Sequence, residues 1–365
     1  MRNSFLGCLL SCFVSGVLFP QFIAAQEDNS GLDLRATLSG QVVASSESTK
    51  APRSGSPFRA GFRSVLYPTW KISDHWAVSG ALQFNSRPYF FESLSTKGYG
   101  AKGNILQATV NYSRISDKGS LLLRAGELST AFGSFLLRYD DADNALIDLP
   151  MEYGYYYAPV SSLGLAGVQV DGTRGKWDLR AQFANSSPAN PRSLFARDQY
   201  GNWAGGAGYT IRQGLRVGVS AYRGPYLDRT YIYFFPGEAK PSSLPANALG
   251  FDTAWSHGHS SVQGEVQRFV MPYKAIRTFR ELAAYVEVRQ VLSPRWYLAA
   301  RGGYTSAKES GKVQSFEAAA GFRPDRLQII KIGYEFRHYN TGRDANDNTV
   351  AIQFVTSFHK AIARN

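Results

Sequence analysis

From Gly31 onward, apolar and polar residues alternate with a period of two. Leu32, Leu34, Ala36, Leu38, Gly40 and Val42 fall on one face of the first segment, with Asp33, Arg35, Thr37, Ser39 and Gln41 on the other. A strand sends successive side chains to opposite faces, so this alternation predicts strands with one apolar and one polar surface. Trp76, Val78, Gly80, Leu82 and Phe84 repeat it, as do Trp177, Leu179, Ala181 and Phe183, and near the end Val350, Ile352, Phe354 and Phe358. The pattern predicts about sixteen segments of about 8–13 residues. Their spans are 31–43, 58–72, 75–85, 104–114, 120–128, 163–171, 177–184, 203–211, 215–222, 248–256, 260–268, 281–291, 296–305, 314–322, 327–339 and 349–358. A tilted strand crosses a bilayer in about 9–11 residues, and these lengths match.

The connections alternate too. Short turns at 73–74, 116–119, 172–176, 212–214, 257–259, 292–295 and 323–326 take turns with longer loops, of which 129–162 is the longest. Transmembrane barrels are built this way, with short turns on the periplasmic side, and a soluble sandwich has no reason to keep the order. Charges within a segment share parity: Arg59, Arg63 and Lys71; Asp178 and Arg180; Glu281, Glu287 and Arg289; Lys331, Glu335 and Arg337. The opposite face stays almost free of charge, as lipid demands, since an Arg or Lys at mid-bilayer costs about 2–4 kcal/mol. Arg114 and Arg268 break the rule at segment ends, from where the side chain can reach water. Trp70, Trp76, Trp177, Trp255 and Trp296 lie near short turns, and Trp203 opens a strand after a long loop. Amphipathic indoles at both ends are the aromatic girdles of a membrane barrel. The expected fold is all-β: a transmembrane antiparallel β-barrel of about sixteen strands.

Composition locates it. Met1-Arg2-Asn3, a mostly apolar stretch from Phe5 to Ile23 and the small pair Ala24-Ala25 read as a signal peptide over 1–25, leaving 26–365 as the barrel. The protein is therefore expected to be exported to the cell outer membrane. Both cysteines, Cys8 and Cys12, lie in that leader, so no disulfide framework or thiolate metal site is expected afterwards. The 40 Lys+Arg against 28 Asp+Glu give a net charge of +12. That charge is distributed by strand parity rather than as one patch, which argues against nucleic acid.

Sixteen strands enclose a lumen that side chains cannot fill, and the first strand starts too soon after the leader for a separate plug. The expected narrowing element is the third long connection, carrying Phe132, Arg138, Asp140, Asp141, Asp143 and Glu152 among many aromatics. So long and apolar a loop is costly to leave in water, and it is expected to fold inward and set the pore's cross-section. The inward cations are expected to be Arg35, Arg59, Arg63, Lys71, Arg124, Arg180, Arg212, Arg216, Arg289, Arg301, Arg323, Lys331 and Arg337. They outnumber the inward acids Asp33, Asp171, Asp178, Asp252, Glu265, Glu281, Glu287, Glu317 and Glu335. Rows of Arg and Lys favour anions, so a modest anion preference follows. The aspartates of the loop, facing this wall, would set a transverse field across the constriction.

The stretch Arg124-Ala125-Gly126-Glu127-Leu128-Ser129-Thr130-Ala131-Phe132-Gly133 and the closing Asn348-Thr349-Val350-Ala351-Ile352-Gln353-Phe354 resemble segments of the phosphate-selective porin O/P family. The sixteen-strand plan with a long third loop resembles bacterial general porins. The resemblance implies an outer-membrane, trimeric channel for anions or small nutrients, in contact with membrane lipid and lipopolysaccharide. The chain departs from the family in lacking a dense lysine cluster in a loop. It also ends Phe358-His359-Lys360-Ala361-Ile362-Ala363-Arg364-Asn365 rather than on an aromatic.

His257-Gly258-His259 lacks the further ligands a zinc site needs, and Asp140-Asp141-Ala142-Asp143-Asn144 lacks calcium-loop spacing. No cofactor or metal is expected. A barrel hydrolase and an adhesive or structural barrel remain the competing classes, without a nucleophile-bearing motif to support the first.

Overall fold

The computed structural model describes residues 31–46, 58–86, 101–135, 139–154, 165–185, 201–225, 244–275, 277–308, 311–340 and 344–363. The expected leader, 1–25, and Arg138 lie outside the described residues, as does the side chain of Glu152.

Sixteen antiparallel strands form one closed barrel, each hydrogen-bonded to its neighbours in sequence and β1 to β16. The first eight are β1 (Gly31–Ser45), β2 (Phe58–Lys71), β3 (Trp76–Ser86), β4 (Ala101–Ser116), β5 (Gly119–Leu128), β6 (Leu165–Arg174), β7 (Trp177–Ala184) and β8 (Asn202–Arg212). The second eight are β9 (Leu215–Pro225), β10 (Pro245–His257), β11 (Ser260–Met271), β12 (Phe279–Ser293), β13 (Trp296–Ala307), β14 (Gly311–Phe322), β15 (Gln328–Asn340) and β16 (Asp344–Ala363). Closure leaves no strand edge, so every backbone ladder is paired.

The faces divide as the period-two pattern requires. Leu38, Val42, Val78, Phe84, Ile352 and Phe354 are exposed on the outside, while their odd or even counterparts Ser39, Gln41, Ala77, Gln83 and Gln353 are buried inside. Trp70, Trp76, Trp177, Trp203 and Trp296 are also exposed, at the strand ends where a bilayer interface would sit. In the short turns Gly175 has φ 60° and Gly258 φ 57°, left-handed conformations that a side chain disfavours.

Three departures from the sequence pattern have local causes. A bulge opposite Ala81 and Leu82 leaves Leu106 without a register partner and turns it inward with Val65 and Ala81. The pairing of β16 with β1 runs to Gly31↔Ala363, so Phe358 lies within the last strand instead of ending it. Arg212 sits at a register shift at the end of β8 and is exposed, so it belongs to a turn rather than to the inner wall.

Candidate pore and its inner loop

Residues following β5 lie against the inner wall, and they do so in two arms that differ in chemistry. The first arm, 131–135, is apolar. Phe132 is fully buried with Ala204, Tyr222, Ala246, Ala248 and Phe269, its ring edge-on to Phe269 at 5.7 Å between centroids. Phe135 packs on Tyr285 and Tyr153. Backbone donors exposed by this departure from the sheet find wall acceptors: Ala131 N–H donates to Gln182 Oε1 at 3.0 Å and Gly133 N–H to Ser220 Oγ at 3.2 Å. Gly133 has φ 80°, and a Cβ there would collide with the Tyr153 hydroxyl. The glycine is thus required twice over.

The arm closes on the short helix α1 (Met151–Gly154). The Tyr153 hydroxyl donates to Glu265 Oε2 at 2.7 Å, and Ser134 Oγ donates to the same oxygen at 2.9 Å. Burial, with the Glu265 carboxylate beside it, pushes the Tyr153 hydroxyl well above its ordinary range, so it remains a donor at any physiological pH.

The second arm, 139–148, is held chiefly by charge. Asp141 pairs with Arg63 at 3.2 Å, both side chains almost fully buried, and accepts from Ser39 Oγ at 2.5 Å. Asp140 accepts from the Tyr67 hydroxyl. Arg63 also donates to the Tyr139 carbonyl at 2.9 Å and stacks over the Tyr139 ring at 4.2 Å. Lys331, fully buried, donates to the carbonyls of Asp141, Asn144 and Leu146 at 2.7, 2.8 and 3.1 Å. Its ammonium has three protons and here three acceptors. Arg337 bonds Asp148 at 3.2 Å and Glu335 at 2.7 Å. Arg301 joins the arms: it pairs with Glu287 and Glu317 at 3.1 and 3.3 Å, donates to the Asp148 carbonyl at 3.0 Å, and lies 5.6 Å from the Phe135 ring. Apolar contacts add to this: Ala145 and Leu146 pack with Tyr297 and Ile329, Ile147 with Val43 and Ala351, and Tyr139 against Val65, Ala81 and Leu106.

Many of the cations expected on the inner face are engaged by acids or loop carbonyls. Arg63, Arg301, Lys331 and Arg337 are spent on the loop. On the wall, Arg124 pairs with Asp171 at 2.6 Å, and Arg216 bridges Asp178 and Asp252 at 2.7 and 2.5 Å. Lys71 pairs with Asp74 at 3.4 Å, at the mouth. Buried oppositely charged groups pair because isolation in low dielectric is costly. The carboxylate of Asp141 is likewise neutralised in contact with Arg63, not held across an aqueous gap. By contrast, Arg35, Arg59, Arg180 and Arg289 make no hydrogen bond or ion pair through their side chains among the described residues. Arg289 stacks on the Tyr297 ring at 4.8 Å and keeps a buried Nε without an acceptor. Arg323, expected on the wall, follows β14 at a turn; among the described residues its side chain makes no hydrogen bond or ion pair.

Asp143 is the acid of the second arm exposed to lumen water. Enclosure by the wall and the adjacent Asp140 carboxylate push its carboxyl up to about 6, with Arg35, Arg323 and Lys331 opposing. The wall partners Ser39, Tyr67, Gln182 and Tyr297 were not singled out in the sequence, although inward parity with Arg35, Arg63 or Arg180 was the signal that marks the first three. No group of three metal-ligating side chains occurs among the described residues.

No protein-family model and no curated protein matches the chain. Solved structures do. OprB of Pseudomonas putida superposes with a TM-score of 0.65 at 10% identity, over 90% of this chain and 94% of that one. An anion-selective porin from Comamonas acidovorans gives 0.61 at 10% identity, over 90% and 99%. The trimer form of OmpT, an outer membrane protein of Vibrio cholerae, gives 0.58 at 11% identity, over 90% and 99%. At such identities the likeness is one of fold: the chain has the closed barrel of these outer-membrane proteins.

Proposed function

We propose that this protein is an outer-membrane porin, a water-filled channel through which small hydrophilic solutes diffuse passively, with a preference for anions. The observation that carries the reading is an asymmetry of pairing inside the barrel. Asp171, Asp178, Asp252, Glu287, Glu317 and Glu335 each contact an arginine, and Glu265 is held by Ser134 and Tyr153. Among the described residues, Arg35, Arg59, Arg180 and Arg289 make no side-chain hydrogen bond or ion pair, although Arg35 and Arg289 lie in the field of the exposed Asp143. Unpaired guanidinium groups within about one Debye length, about 8 Å at physiological salt, of a passing ion bias its passage toward anions. Phosphate and other anionic nutrients belong to the solutes this reading admits. The inner loop narrows the lumen and sets its cross-section. The anion-selective neighbour and the trimeric one support, respectively, the ion preference and a homotrimeric assembly.

The test is conductance of the refolded protein in a planar bilayer. Discrete open steps are expected. A barrel that resists heat denaturation on a gel yet never conducts would remove the channel in favour of a barrel hydrolase or an adhesive barrel.

A further inference from the structure

The ion pairs of the inner wall are direct contacts: Arg63–Asp141, Arg124–Asp171, Arg216–Asp178 and Arg301–Glu287 all lie between 2.6 and 3.2 Å. One group of opposite charges behaves differently. Asp143 lies in the field of Arg35 and Arg323 and of Arg289, and Arg289 in turn senses Arg323. Yet none of these four side chains makes a hydrogen bond or ion pair among the described residues. Opposite charges that face one another without touching leave room between them. A few polar groups converging on such a space are what orients a small ligand.

The wall holds that space open. Asp143 sits at the apex of a tight turn, where the Asp140 carbonyl accepts from the N–H groups of Asp143 and Asn144 at 3.0 and 2.9 Å. Two wall tyrosines pin the turn on either side of the apex. The Tyr67 hydroxyl donates to the Asp140 carboxylate, and the Tyr297 hydroxyl donates to the Ala145 carbonyl at 3.0 Å. The apex carboxylate itself stays exposed. On the β12–β14 side, the Arg289 guanidinium stacks on the Tyr297 ring at 4.8 Å. That ring lies over Gly321, where a Cβ would collide with it. Arg323 follows two residues later and completes a pair of guanidinium groups facing the apex. On the other side of the apex Arg35 is the direct register partner of Tyr67.

We propose that the space between Asp143 and the Arg289–Arg323 pair is a binding site for an acidic amino acid, a small solute carrying one ammonium and two carboxylate groups. Each guanidinium presents a planar fork that suits a carboxylate. Asp143 accepts from the ammonium. A plain dicarboxylate gains nothing from Asp143 and is repelled by it, and a neutral amino acid leaves one guanidinium unused. Arg35 draws the solute toward the apex from the far side. The proposal rests on the channel reading for its purpose, since the site faces the lumen, and it names the solute that the lumen selects.

The experiment is calorimetric titration of the folded barrel in detergent with three probes. These are L-glutamate, glutarate, which lacks the ammonium, and L-glutamine, which lacks the second carboxylate. Wild type is expected to bind glutamate about tenfold more tightly than either, the worth of one charge-assisted hydrogen bond. Asp143→Asn should bring glutamate down to the level of glutarate while leaving glutarate binding undiminished. Arg289→Gln should weaken both. Equal binding of the three probes by wild type, undiminished glutamate binding in Asp143→Asn, or undiminished binding in Arg289→Gln would overturn the assignment. Unchanged heat-modifiability on a gel establishes that the variants are folded. Conductance in a planar bilayer separates this site from the channel reading. A barrel that discriminates the probes but never conducts would fail the channel and keep the site, and a conducting barrel that does not discriminate them would do the reverse.

Discussion

The two arms of the inner loop meet the same barrel wall by opposite means. The first arm buries Phe132 and Phe135 among apolar and aromatic wall residues. That contact has little direction and is insensitive to salt. The second arm is held by Arg63, Lys331 and Arg337 acting on Asp141, Asp148 and backbone carbonyls, each bond demanding a partner in one place. An apolar arm tolerates substitution in proportion to lost volume. A charged arm fails abruptly when one member is removed, because the other stays buried and unpaired.

The largest expected effect follows from that difference. Arg63→Ala strands the buried Asp141 carboxylate and should weaken seating of the second arm by about 3–5 kcal/mol. Single-channel recordings should show added flicker and a changed open level, and protease should gain access to the loop. Removing both charges, Arg63→Met with Asp141→Leu, should restore much of the seating. If the double variant were as disturbed as the single, the pair would not be the fastening. Phe132→Ala should cost at the low end of the usual range for a buried aromatic, about 3 kcal/mol, with no dependence on salt. Urea unfolding of the folded barrel at low and high salt measures this, and a salt-dependent loss would contradict the division between the arms. Tyr67→Phe, which deletes one hydrogen bond to Asp140, should cost about 1.5 kcal/mol.

The smallest effect is one of pH. The Asp143 carboxyl titrates above its usual range, so its charge is held at neutral pH against a preference for the neutral form. As pH falls through about 6 the proton is taken up, the stability contribution rises slightly, and the lumen loses a negative charge. Anion preference should therefore increase between pH 7 and 5, and Asp143→Asn should show the acidic value throughout. A wild-type selectivity that does not move over this interval would count against the exposed position of Asp143.

The strands were legible because lipid imposes a strict rule on one face. Leu38, Val42, Phe84 and Ile352 could be placed by parity alone, as could the inward side of Arg63, Arg180 and Lys331. What parity cannot give is the partner. The acceptors of Lys331 lie almost two hundred residues earlier, in a loop with no period, and Arg63 reads in sequence much like Arg59, which the structure leaves unpaired. Parity thus marks inward cations without telling those with partners, such as Arg63 and Lys331, from those without an ion pair among the described residues, such as Arg59. The bulge at Leu106 was hidden for a related reason: a residue inserted into one strand shows only against the register of its neighbour.

The central claim is that unpaired arginines, not the total of inward charge, decide which ions pass. It is tested most directly by the reversal potential of single channels in a KCl gradient, comparing wild type with two variants. Wild type should favour chloride. Replacing Arg35, Arg59, Arg180 and Arg289 by Gln should abolish most of that preference, while the neutral pair Arg124→Gln with Asp171→Asn should leave it nearly unchanged. A wild-type potential favouring potassium, or an unchanged potential in the fourfold variant, would contradict the account.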